Sequence, residues 1–477
     1  MDLLLISPYL SVEERYGRPV GKSVGGHLPP LGLAYVASFL REKGHSVKII
    51  DALAMDMSDD RIVSYIGKYN PSVIGLTALT SMFHRVINLS KKIKTKFPNK
   101  PIILGGHHAT IVPEEILSQT DNVDLLVIGE GELTMLELMD KIKGKDVSLL
   151  RNTGFLKNIK GIAFKSNKKV VITGPREPIH DLDMLPYPAL DLLPMHKYIP
   201  LPNQYKRQPV VHMVVIRGCP YSCSFCSNNA VFGRKIRARS PESVIKEIAY
   251  IIKQYGAKEI SFWDDMLTTK KDWIDKFCDI LIKEKVDITW TCYARVDSVD
   301  KEMLKNMAKA GCWNIFYGYE SGSQQLLDNI EKGITLEQIQ NANKWTKEAG
   351  IEVRASFMLA LPGETPELAK KTIDFAKKLS PEYAQFSLTT PYPATKLYNE
   401  AEKWGKLDKN FSTYHGWDAV FIPYGYKNKK QILDMERKAV RSFYFRPGFV
   451  FNCIRHIKSL EDLKRYMKGL RFLLGFV

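Results

Sequence analysis

Short apolar runs punctuate the first third of the chain, at residues 3–7, 47–51, 73–76, 102–104 and 125–128, with helix-period stretches between them. Runs of this length, bounded by turns and alternating with amphipathic segments, predict the strands of a parallel, doubly wound α/β sheet. One intervening helix carries its own punctuation. Pro30 suits a first turn, Leu33, Ala37 and Leu40 form an apolar stripe, and Gly44 supplies a stop. Residues 161–164 and 170–173 flank a polar turn and predict a hairpin, and the proline-punctuated stretch 181–188 then reads as a linker. From residue 211 the alternation resumes, with strands expected near 211–216, 258–263, 288–293, 313–319, 351–359 and 383–388. Ser240-Pro241-Glu242 offers the first full helix of this half an N-cap, a first-turn proline and a first-turn acid. Six such units predict a partial barrel, whose chemistry belongs at the carboxyl ends of the strands.

The expected organisation is an α/β chain in four parts. A Rossmann-like (flavodoxin-like) sheet covers 1–150, and a hairpin and linker cover 151–205. A partial (β/α)6, TIM-like barrel covers 206–400, and a helical extension covers 401–477. Composition fits a large globular enzyme: 477 residues, 45% hydrophobic and 25% charged. Residues 1–6 read as a strand and not as a secretory signal, and no apolar run is long enough to span a bilayer, so a cytoplasmic setting is expected. Seven cysteines, none before Cys219, do not read as a disulfide framework. The net charge of +17 is compatible with anionic lipid, nucleic acid or an acidic substrate, but much of the lysine is spread along helix faces. The tail sharpens this question. Between residues 437 and 471, Arg437, Lys438, Arg441, Arg446, Arg455, Lys464, Arg465 and Arg471 interleave with Phe443, Tyr444, Phe445, Phe449, Phe451 and Tyr466. That mixture suits a helical cap over the barrel, a peripheral helix on anionic membrane, or stacking on nucleic acid.

Candidate chemistry concentrates in one loop. Cys219, Cys223 and Cys226, in Arg217-Gly218-Cys219-Pro220-Tyr221-Ser222-Cys223-Ser224-Phe225-Cys226, directly follow the first barrel strand. Soft thiolates suit zinc or an iron–sulfur centre. A closed zinc site wants four ligands, and no fourth Cys or His stands nearby in a zinc-like pattern. A [4Fe–4S] cluster on three thiolates would instead leave one iron open. Cys278 and Cys292 are expected to pack in the core, and no metal role falls to them, to Cys312 or to Cys453.

The cysteine loop, with Phe225 before its last thiol, resembles the radical S-adenosylmethionine (SAM) family. The likeness continues through Ala294-Arg295-Val296-Asp297, Gly311-Cys312, Gly318-Tyr319-Glu320-Ser321-Gly322-Ser323 and Leu361-Pro362-Gly363-Glu364-Thr365. Ala394 departs from it, standing where the family's Pro-Tyr-Pro-Gly-Thr has glycine. The resemblance implies a [4Fe–4S] cluster on the three cysteines, SAM on the open iron, and Phe225 touching adenine through its backbone. Asp264, Asp265, Arg295, Glu320 and Ser321 lie at strand ends, where acids and a guanidinium suit SAM's ammonium, carboxylate and ribose. Each of the charged residues alone also reads as an ordinary surface ion pair.

Upstream of such a barrel, the segments 31–35, 105–110 and 129–132 resemble the cobalamin (B12)-binding domain of B12-dependent radical SAM enzymes. That likeness implies a corrinoid near Thr77, Thr80, Ser81, Gly105, Gly106, His108, Gly129, Glu130 and Gly131. The Asp-x-His-x-x-Gly loop that brings a cobalt-ligating histidine in other B12 proteins is missing, leaving Thr80, Ser81 or Met82 as candidates for the lower cobalt face. A domain that kept the fold and lost the corrinoid is the alternative.

The function implied is a B12-dependent radical SAM C-methyltransferase. A flavodoxin or ferredoxin would reduce the cluster, and a 5′-deoxyadenosyl radical from SAM would activate an unactivated carbon of a lipid or secondary metabolite. Methylcobalamin would then supply the methyl group. An oxidative cyclase without methyl transfer uses the same parts. A tRNA methylthiotransferase would need an N-terminal cysteine trio that residues 1–218 lack, so nucleic acid is not an expected partner. A non-catalytic corrinoid or iron–sulfur binding module completes the alternatives.

Overall fold

All five apolar runs of the first third are strands: β1 (Leu3–Ser7), β2 (Val47–Asp51), β3 (Val73–Thr77), β4 (Ile102–Gly105) and β5 (Leu125–Val127). They pair in parallel in the order β2-β1-β3-β4-β5. The strand order therefore turns back between β1 and β3, the kind of switch point beside which α/β sheets bind ligands. The hairpin forms as β6 (Ile162–Ser166) and β7 (Lys169–Ile172), which extend this sheet antiparallel from β5. Leu4, Ile6, Ile74, Leu76, Leu104 and Leu126 from the strands pack with Ile62, Ile66, Val86, Leu89, Ile93 and Ile116 from the helices. Each such side chain contributes about 1.5–3 kcal/mol of apolar burial. The helix marked by Pro30 runs Leu31–Glu42 and buries Leu33, Ala37 and Leu40. Gly44 follows it at φ 82°.

The computed structural model describes residues 1–16, 25–457 and 460–474, and the chain forms two compact units. The first gathers Met1–Ser11, Leu28–Tyr198 and Ser227–Lys235; the second gathers Val12–His27, Ile199–Cys226 and Ile236–Val477.

The second unit holds β8 (Val210–Met213), β9 (Ile216–Arg217), β10 (Arg237–Ala238), β11 (Glu259–Phe262), β12 (Thr289–Ala294), β13 (Cys312–Glu320), β14 (Glu352–Leu359) and β15 (Tyr383–Leu388). Six of them form a parallel sheet in the order β15-β14-β13-β12-β11-β8, so barrel strands adjacent in the chain are neighbours in space. Ser240 caps the helix Pro241–Tyr255 by accepting the N–H of Ser243 at 3.2 Å, with Pro241 in the first turn. The expected first strand, 211–216, is broken in two. Beyond Met213 the N–H groups of Val215 and Ile216 go to the Asp264 carboxylate and not to a strand ladder, and β9 pairs instead with β10, antiparallel.

Side-chain alternation separates the sheet's two faces. On the outer face Phe262 and Trp290 each meet Phe277 of the helix Lys271–Lys283 at 5.6 Å between ring centroids, and Tyr317 bonds Thr346 at 2.9 Å. On the inner face Trp263, Tyr293, Phe316, Ser356 and Gln385 retain solvent access, so that face lines an open space. The tail begins as a cap: the helix Lys429–Tyr444 buries Ile432, Ala439, Val440 and Phe443, and Tyr444 binds the backbone of Ala384 on β15. Two further helices follow, Pro447–His456 and Leu460–Leu474. Among the described residues no helix is long and apolar enough to cross a membrane.

Candidate functional site

The cysteine loop of the second unit is fixed at several points. Ser224 donates its N–H to the Ile330 carbonyl at 2.9 Å and accepts from Leu397 N–H at 2.8 Å, and Cys226 N–H closes a turn on Cys223 O at 3.1 Å. Phe225 packs against Leu326, Ile330, Met358 and Leu361, which anchors the loop through an apolar contact. Cys219 and Cys223 are half-buried and Cys226 is exposed, so all three thiols are reachable. Burial pushes the Cys219 thiol up, partly offset by the N–H of Tyr221. Among the described residues no three His, Cys, Asp or Glu side chains converge as the shell of a single metal ion. A [4Fe–4S] cluster gives each thiolate its own iron, and three soft donors on one pinned loop fit it.

Arg295, past the end of β12, lies against this loop. Its guanidinium stacks 3.6 Å from the centroid of Tyr221 and donates to Cys223 Sγ at 3.6 Å. It also forks onto Asp297 at 2.9 and 3.0 Å and reaches the Lys332 carbonyl at 2.8 Å. Lys332 in turn holds Glu320 at 2.7 Å, both side chains being nearly enclosed, while its ammonium sits 5.7 Å over the Phe225 ring. Glu320 occupies the left-handed backbone region at φ 60°, where β13 is bulged against β14. A Cβ on Gly318 would meet the tips of both members of the pair, so a larger residue there would have to displace them.

The two neighbouring aspartates differ. Asp264 is buried, and loss of hydration pushes its carboxyl up to about 7 against the pull of the Ile216 and Val215 N–H groups. Its role in the structure is to hold the start of the cysteine loop. Asp265 is solvent-accessible, yet loss of hydration from the surrounding protein pushes its carboxyl up to about 6. Ser321 is fully buried with its hydroxyl 3.1 Å from Thr372, so its side chain is not offered to a ligand.

In the first unit, the loops after β3, β4 and β5 come together at one edge. Ala78 N–H bonds Gly105 O and His108 N–H bonds Ala78 O, both at 3.1 Å. The Thr110 hydroxyl accepts Gly129 N–H at 3.0 Å. Gly106 sits at φ 96°, and a Cβ there would come within 2.7 Å of the Thr77 hydroxyl and 2.9 Å of Ala78 O. Nothing lies within 4 Å of where a Cβ on Gly129 would be, so the space directly beside it is open. Glu130 accepts Ile179 N–H at 3.4 Å, and Gly131 begins the helix Gly131–Ile142. His108 is buried beside Phe83, with Nδ1 3.3 Å from the Thr80 hydroxyl, and burial lowers its pKa to about 4, leaving a neutral ring. Thr80 and Met82 are thus buried and Ser81 is half-buried, while Leu79 stands 49% exposed in the same loop.

Models of the B12 binding domain and of the radical SAM superfamily match residues 17–139 and 213–376. The chain is 39% identical, over 98% of its own length and 98% of the relative's, to an uncharacterised methyltransferase of Pyrococcus horikoshii. It belongs to the cobalamin-dependent radical SAM family. It is also 30% identical to the anaerobic magnesium-protoporphyrin IX monomethyl ester cyclase of Rubrivivax gelatinosus, over 90% of this chain and 76% of that one. The fold is similar to that of the radical SAM methyltransferase TsrM from Kitasatospora setae, solved with cobalamin and a [4Fe–4S] cluster bound. The TM-score is 0.69 at 17% identity, covering 94% of this chain and 90% of the other.

For a radical SAM enzyme, the sequence reading passes over several residues that the fold brings to the site. Lys332, Asp297 and Tyr221 surround the cysteine loop, Leu79 stands at the first unit's open edge, and Trp263 and Tyr293 line the inner barrel face. The alternation of β12 could have marked Tyr293. Nothing local marks Lys332, which meets Glu320 only once the turn after β13 is folded.

Proposed function

We propose that this radical SAM enzyme is a C-methyltransferase acting on an unactivated carbon of a lipid or secondary metabolite. The observation that carries the reading is its 39% identity, over 98% of the chain, to an uncharacterised methyltransferase. Bound to the chain, the cluster and SAM would supply a carbon-centred radical, and cobalamin the methyl group. Cys219, Cys223 and Cys226 hold the cluster, while Arg295 and Phe225 keep their loop in place. Asp265 and the Lys332-aligned Glu320 offer carboxylates to SAM, with Phe225 contributing backbone. Thr77, Gly105, Gly106, Gly129 and Gly131 would hold the corrinoid, with Leu79 as an apolar, non-ligating neighbour. Trp263, Tyr293 and Phe316 form an aromatic wall that excludes water around a substrate.

The 30% identity to a ring-forming cyclase supports a second reading, radical chemistry without methyl transfer. Product analysis separates the two. Methyl transfer yields 5′-deoxyadenosine together with S-adenosylhomocysteine, because a second SAM must restore the methyl group. Deoxyadenosine without homocysteine product would favour the cyclase reading. Neither product from reduced, reconstituted enzyme supplied with candidate substrates would count against both. Cys223→Ala is expected to lose the cluster's absorbance and all deoxyadenosine formation.

A further inference from the structure

The helix Leu460–Leu474 carries two stripes side by side. Leu463, Met467 and Leu470, spaced four and three residues apart, fall on one face and are 42%, 49% and 43% exposed. Each is followed directly by a basic residue, Lys464, Lys468 and Arg471, so a cationic stripe runs about 100° around the helix from the apolar one. The preceding segment repeats the combination, with Phe445 at 46% and Val450 at 44% exposure close to Arg441 and Arg446. Soluble surfaces tolerate single exposed apolar residues, but a continuous stripe at helical spacing needs an occupant.

We propose that this face docks the enzyme on an anionic lipid bilayer, the helix lying in the interface with its apolar stripe inward and its basic stripe at the headgroups. A helix with separated apolar and Lys/Arg faces, unable to span, has the form of an interfacial anchor. Charge argues against a second copy as the occupant. Apposing two such faces antiparallel would set basic stripe against basic stripe, and like charges across an interface are costly. Nucleic acid would neutralise the charge and leave the apolar stripe wet. The docking reading is independent of the proposed reaction.

The test is co-sedimentation of the full-length, cluster-reconstituted protein with vesicles of phosphatidylcholine and phosphatidylglycerol, and with phosphatidylcholine alone. Binding to the anionic vesicles that weakens with added salt is expected. Reversing the three charges (Lys464→Glu, Lys468→Glu, Arg471→Glu) is expected to weaken binding about a hundredfold. The triple variant Leu463→Gln, Met467→Gln, Leu470→Gln is expected to weaken it while leaving the circular dichroism spectrum and deoxyadenosine formation unchanged. Failure to bind anionic vesicles would overturn the proposal. So would binding indifferent to both variants, or a dimer in solution that the Gln variant dissociates in the absence of vesicle binding.

Discussion

Arg295 serves four neighbours at once: the Tyr221 ring, Cys223 Sγ, the Asp297 carboxylate and the Lys332 carbonyl. A donor aimed at a cluster thiolate favours the reduced, more negative state. Arg295→Lys keeps charge but loses the planar fork, so the cluster's midpoint potential is expected to fall by about 40 mV, the equivalent of one hydrogen bond of ~1 kcal/mol in a one-electron couple. Potentiometric titration followed by electron paramagnetic resonance reads this, and an unchanged potential would reduce Arg295 to a mechanical brace. Lys332→Met leaves the Glu320 carboxylate enclosed without its partner, a loss expected to cost roughly 3–5 kcal/mol in urea unfolding. Adding Glu320→Gln should restore part of it. The sequence exposes the cysteine trio, Arg295 and Glu320 because each lies at or just past the end of a strand. It does not expose the difference between Asp264 and Asp265. Adjacent residues leave a strand on opposite sides, and only the captured N–H groups of Val215 and Ile216 decide which carboxylate turns inward.

At the scale of elements, strand positions are legible because apolar runs of strand length recur with clear boundaries. The break between β8 and β9 is not, because its cause lies 49 residues away in Asp264. Another long-range tie has a pH signature. Glu364, after β14, is fully buried and accepts Ala360 N–H and the Tyr426 hydroxyl, both at 2.7 Å, joining the barrel rim to the tail. Burial pushes its carboxyl from 4.5 up to about 7, outweighing those hydrogen bonds. A folded-state value raised above the unfolded one means that the contribution to stability is full below pH 4.5 and is lost as pH climbs through about 7. The change from this one group is at most roughly 3 kcal/mol. Glu364→Gln keeps the acceptor oxygen without the charge. Urea unfolding below pH 4.5 and above pH 7 should therefore differ less in the variant than in the wild-type chain. Asp264 and Asp265 act with the same sign in both proteins.

At the scale of the whole molecule, two sheet systems in series were legible from the changing pattern of runs, and the cysteine loop pointed to the chemistry. The path of the chain between the units was not. Ser227–Lys235, which starts one residue past Cys226, belongs to the first unit; its helix Asn228–Phe232 brings Phe232 to 5.9 Å from His107. A five-residue helix carries too little pattern to announce which sheet it will join. The interruption bears on how such a protein can be recombined. A chimera that exchanges residues 1–198 at a single splice puts a foreign surface against the resident helix. One that also exchanges 227–235, and retains the resident 12–27 that belongs to the second unit, keeps the original packing within each unit. The chimera that exchanges every segment of the first unit is expected to give more soluble protein with the higher melting temperature. The first unit is therefore not a detachable module: a piece of it is written into the other half of the gene, and the two halves can be inherited intact only together.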